Sequence, residues 1–235
     1  MKKIGLWMLL MGLGLSGVQA GYDKTYNGLP QVEAQAEQIK SVNMSKVAAA
    51  VAVVAERFGL TDKVCLRLIH KHFPVTPGQV MVQVKETVDG KVSLVTRAMS
   101  MEAAKQMGAT VASWIFQGDK VVPFEYAAGT CPEAGANFEA FLSAVRPILY
   151  QHGVLNTISV ALLPTLGQTM GHQAVLMEVN EKAGEQSIVQ VVPGSASKNT
   201  LITGWNLKGN STAIAGEPNA CMSCLVIPST HQHER

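Results

Sequence analysis

The sequence predicts an α+β protein made by tandem duplication of one unit, a helix plus antiparallel strands, in a pseudo-two-fold arrangement. Three observations predict it. First, "NMSKVAAAVAVVAERFGLTDKVCLRLI" from Asn43 lies over "NFEAFLSAVRPILYQHGVLNTISVALL" from Asn137 without a gap, and weaker matches follow in the same order. "VMVQVKETVDGKVSLV" meets "AVLMEVNEKAGEQSIVQV", and "TVASWIFQGDK" meets "LITGWNLKGNS", which pairs Trp114 with Trp205 and Gly118 with Gly209. Second, each copy opens with an apolar stretch between an Asn suited to cap a helix and a Gly suited to end one. Third, alternating apolar and polar residues follow, punctuated by turn formers.

The elements follow in chain order. Residues 1–20 read as a signal peptide: Lys2 and Lys3 precede the apolar run Ile4 to Leu15, and Val18-Gln19-Ala20 fits a signal peptidase site. The run falls short of the ~20 residues of a membrane span, and no other stretch approaches that length. An exported protein, periplasmic or secreted, is therefore expected. Residues 21–42 form an N-terminal arm with one short helix. Repeat 1 covers 43–132, and its hairpin turns at Val88-Asp89-Gly90-Lys91, where Asp-Gly favours a tight type I′ turn. A Trp-bearing strand closes the unit. Repeat 2 covers 133–225, and 226–235 form a C-terminal tail.

Charge narrows the function. The chain has 19 basic and 17 acidic residues, and the excess consists of the two signal lysines. The exported chain is balanced, so nucleic acid and anionic membrane lose their electrostatic basis as partners. Gly12-Leu13-Gly14-Leu15-Ser16-Gly17 fits a dinucleotide template but lies inside the signal. No G-x-S-x-G elbow, H-E-x-x-H helix or P-loop occurs after it.

The remaining chemistry lies in histidines and cysteines. In "VCLRLIHKHF", alternation puts His70 and His72 on the face of Val64, Leu66 and Leu68, side by side at the rim of a core. Such a pair can hold one metal ion, and it can also serve as a general base or as hydrogen-bonded rim residues. Repeat 2 carries Pro164 and Leu166 at these places. The fold itself therefore does not require histidine there, which favours function.

Cys221-Met222-Ser223-Cys224 followed by His231 and His233 has the composition of a tetrahedral Cys2His2 site, with a spacing looser than a zinc finger. Cys131 follows Trp114 at nearly the interval by which Cys221 follows Trp205. Cys65 faces away from the histidines. His152 and His172 read as structural or solvated, and no carboxylate pair is evident beside His70 and His72.

The ligand pool is His70, His72, Cys131, Cys221, Cys224, His231 and His233, with zinc or copper as the metal. The expected function is transition-metal binding by an exported protein. One alternative is a structural or interaction protein held by two disulfides. The other is a metal-dependent enzyme that uses the His-x-His pair in an open pocket.

Overall fold

The computed structural model describes residues 21–164, 174–181, 185–193, 200–208 and 220–225. It is mixed α+β. The arm holds two short helices rather than one, α1 (Tyr22–Asn27) and α2 (Val32–Ile39). Then come α3 (Met44–Arg57), β1 (Val64–Leu68), β2 (Gln79–Val88), β3 (Lys91–Ser100), α4 (Met101–Gln106), β4 (Thr110–Gln117) and β5 (Lys120–Ala127). The second half supplies α5 (Phe138–Gln151), β6 (Ile158–Leu162), β7 (Ala174–Glu181), β8 (Gln186–Pro193), β9 (Thr200–Asn206) and β10 (Ala220–Leu225).

Local signals account for several boundaries. The Asn43 side chain accepts the Lys46 amide at 3.0 Å and caps α3. Asn137 precedes α5 without a side-chain cap bond. Asp89 and Gly90 both take positive φ, 50° and 74°, and Val88 faces Lys91 across the turn, as a type I′ hairpin requires.

The strands close into a barrel in the order β1-β6-β4-β5-β2-β3-β8-β7-β10-β9, with β9 returning to β1. Most neighbours are antiparallel. Two are parallel, β2 with β5 and β7 with β10, within a sheet that is otherwise antiparallel. The first unit holds one strand more than the sequence suggests. The Trp114 strand does not close the first unit but turns at Gly118-Asp119 into β5, which runs back beside β2. Pro123 disguises β5, because proline removes a ladder donor and is confined to edges and bulges. A bulge lies beside it: Trp114 pairs with Pro123 and Ser113 with Glu125, so Phe124 has no partner across.

Two apolar layers cover the barrel from outside. Val64, Leu66 and Leu68 of β1 and Ile158, Val160 and Leu162 of β6 pack under α3 and α5, with Trp114, Trp205 and Phe138. Tyr22, Tyr26, Val80, Val82, Phe124 and Tyr126 form a second layer beneath α1 and α4. Burying each such side chain stabilises the fold by about 1.5–3 kcal/mol. The alternate residues face inward, where Leu94, Leu176, Val189 and Met222 form a small apolar cluster beside a polar region. Arg67, Gln83, Thr96, Glu125, Ser159, Glu178 and Thr203, from seven different strands, line one internal cavity of about 20 Å³.

Candidate metal centre in the barrel

β1 stops at Leu68, which corrects the strand expected through His72. The ladder ends there, so strict alternation ends too. Leu68 packs in the layer under α3, Ile69 in the layer under α1, and His70 and His72 both line the cavity with Arg67. The histidines are therefore interior groups rather than members of the Leu66 face. Their rings lie 4.6 Å apart, inclined at 62°.

The structure adds two carboxylates that the sequence reading missed. Glu178 comes from β7, and the bulge in β5 presents Glu125. The Glu178 side chain is 3% exposed, and its Oε1 accepts the Ser187 hydroxyl at 2.6 Å. His72 Nδ1 lies 3.2 Å from Glu178 Oε1 and 3.2 Å from Asn180 Oδ1, and its Nε2 lies 3.3 Å from Glu125 Oε1. Both ring nitrogens thus face acceptors. Burial opposes charge on this ring, but Glu178 and Glu125 outweigh it and push its pKa up from 6.5 to about 9. Burial likewise opposes ionisation of Glu178, yet His72, His70 and the Ser187 hydroxyl hold its carboxyl well below the usual range. Glu125 is lowered against its own burial by His72 and by Arg67, whose guanidinium lies 3.9 Å away.

His70 differs. Its Nδ1 lies 2.9 Å from the Leu68 carbonyl, which only accepts, so Nδ1 carries a proton. In the neutral ring Nε2 then offers a lone pair. That atom is buried without a hydrogen-bond partner, and so is Glu178 Oε2, which faces it at 3.7 Å. A proton on Nε2 would make this an ion pair; with the ring neutral, the two facing lone pairs are costly unless a cation lies between them. Among the described residues, His70, His72 and Glu178 are the group whose ligand atoms converge, all within 4.8 Å of one another.

No family model, curated protein or solved structure matches the chain. Its chemistry is therefore read from the site itself. Two imidazoles and one carboxylate are a known zinc donor set. His70 shows the usual second contact of a ligating histidine, Nδ1–H to a backbone carbonyl, and His72 has Glu125 in the same role on Nε2.

The other residues of the expected pool are placed differently. Cys131 is a free thiol packed beside the α3–α5 layer, with its Sγ 3.9 Å from the Leu162 carbonyl and burial pushing its pKa up. Cys65 is also free and buried. Two free thiols out of four cysteines exclude the two-disulfide arrangement. Cys221 and Cys224 lie on strand β10 rather than in a loop, and its parallel register sets Cys224 opposite Glu178 along the backbone. His231 and His233 lie outside the described residues, as do residues 1–20 and His172.

One sequence signal could have found Glu178. It is the charged residue in the otherwise apolar alternation Leu176-Met177-Glu178-Val179, where an inward carboxylate demands a partner. Glu125 gave no comparable signal, because the bulge that turns it inward arises from pairing with β4.

Proposed function

We propose that the protein binds one transition-metal ion, zinc or copper, inside its barrel through His70 Nε2, His72 Nδ1 and a Glu178 oxygen. Glu125, backed by Arg67, holds His72 from behind. The observation that carries this reading is the convergence of buried ligand atoms of His70, His72 and Glu178 within 4.8 Å, with His70 Nε2 and Glu178 Oε2 facing each other at 3.7 Å and free of hydrogen bonds. A cavity of about 20 Å³ suits a bare ion or one water and leaves no room for an organic substrate. Holding the metal is thus better supported than catalysis in an open pocket.

Export remains part of the proposal, on the strength of residues 1–20. So does tandem duplication, which the topology supports. Exchanging each of β1–β5 with the strand five places later returns the same barrel order. Registers follow suit. Leu66 faces Val160 where β1 meets β6, and Trp114 faces Val160 as Trp205 faces Leu66. The pseudo-two-fold axis would pass between Leu66 and Val160. On this reading the metal site breaks the symmetry, since the first half supplies His70 and His72 and the second half supplies Glu178.

The test is metal analysis of untagged protein, followed by zinc and copper titration of the metal-free chain, for wild type, His70→Ala and Glu178→Gln. One ion per wild-type chain, lost in both variants, is expected. Failure of the folded wild type to take up either metal refutes the proposal. Unchanged stoichiometry in the variants moves the site to the Cys221–His233 segment.

A further inference from the structure

The segment that carries both histidines is held less by the sheet than by the start of the chain. Ile69 N–H donates to Thr157 O at 2.9 Å, the last bond tying this stretch to the β6 side. Beyond it, Lys71 N–H donates to Pro30 O at 3.0 Å and His72 N–H to the Tyr26 hydroxyl oxygen at 3.2 Å. Asn27 then grips Val75 twice, accepting its N–H at 2.9 Å and donating Nδ2–H to its carbonyl at 2.8 Å. Lys71 Nζ returns to Asn27 O at 3.0 Å.

Tyr26 is 1% exposed, and its ring stacks on Phe124, the bulge residue next to Glu125, at 5.6 Å. Tyr22 fastens the same strap, donating its hydroxyl to Phe124 O at 2.6 Å. The side chains of His70, His72 and Glu178 are 6% exposed or less, so an ion reaches them only if something opens. The covering piece with the fewest ladder bonds is this pair, strap 22–30 and segment 69–75.

We infer that the N-terminal strap, through Tyr26 and Asn27, is a latch that controls admission and release of the metal held by His70, His72 and Glu178. The inference rests on the metal reading above. Tyr26 and Asn27 are positioning residues: they hold the backbone that aims both imidazoles inward and never touch the ion. Coupling must be reciprocal, so strap docking favours bound metal and bound metal favours the docked strap.

The test uses the full zinc-loaded chain with a colorimetric chelator in excess, comparing wild type, Asn27→Ala and Tyr26→Phe. Zinc release at least tenfold faster in Asn27→Ala, at unchanged stoichiometry, is expected from the two lost hydrogen bonds. Tyr26→Phe, which leaves the ring in place and removes one acceptor, should give a smaller acceleration. In wild type, zinc should slow amide exchange at Lys71, His72 and Val75. Release at the wild-type rate from both variants, or no zinc-dependent protection of these amides, overturns the latch and leaves the metal site standing. Absence of both zinc and copper uptake by the wild type overturns both.

Discussion

Raising the pH above neutrality should weaken the metal-free fold through His72. The ring titrates at about 9 in the folded chain against an ordinary 6.5, a difference that corresponds to about 3 kcal/mol. Its side chain is 6% exposed, so solvent screens little of this. The folded value is raised, so the contribution is complete below 6.5, where both states hold the proton. Between 6.5 and about 9 the unfolded chain has given up its proton while the folded chain keeps it. Stability should fall there by up to about 1.4 kcal/mol per pH unit. Above about 9 the contribution is gone. Urea unfolding of chelator-treated protein at successive pH values measures the slope. His72→Gln supplies the reference, because it lacks the titrating ring but keeps the thiols and the terminus. The variant should start about 3–5 kcal/mol less stable at pH 6, since it leaves Glu125 and Glu178 buried without their main partner. A wild-type slope no steeper than that of His72→Gln would refute the ion-pair account.

Glu125→Gln should retain one metal per chain but bind it 10–100-fold more weakly in a chelator competition, because the outer partner of His72 loses its charge; equal affinity would remove Glu125 from the site. Cys131→Ser should leave metal affinity unchanged in the same assay, and thiol labelling of the folded chain should spare the buried Cys65. Phe138→Ala should cost about 3–5 kcal/mol in urea unfolding, since this ring is 1% exposed and meets Trp114 at 4.5 Å and Phe141 at 5.7 Å. A loss under 1 kcal/mol would show that the layer under α3 and α5 relaxes around the gap.

What the sequence made legible was local. The Asn43 cap and the Asp89-Gly90 turn are one-residue decisions of backbone chemistry, and both are found where the residues put them. His70 and His72 stood out because an H-x-H beside an apolar strand is unusual, and they do meet. Their orientation was not legible, since alternation holds only while the ladder does and β1 stops before them. The carboxylates were hidden by distance along the chain. Glu178 reaches His72 from 106 positions further along the chain only because the sheet closes on itself. The attraction of Cys131 as a ligand came from its interval after Trp114, which spacing alone cannot distinguish from a small apolar residue filling a gap.

The β4–β5 hairpin is joined to the rest of the barrel by strikingly few ladder positions. Two residue pairs tie β4 to β6, and two tie β5 to β2. Side-chain packing anchors much of it, with Trp114 and Phe116 on one layer and Val122, Phe124 and Tyr126 on the other, and Tyr22 and Arg146 add hydrogen bonds to Phe124 O and to the Gly118-Asp119 turn. Such a panel can unfold on its own without first melting the long β2–β3 and β7–β8 ladders. Glu125 travels with it. The outer carboxylate of His72 is thus carried by the part of the barrel with the shortest ladders, whereas Glu178 sits in the long β7–β8 ladder.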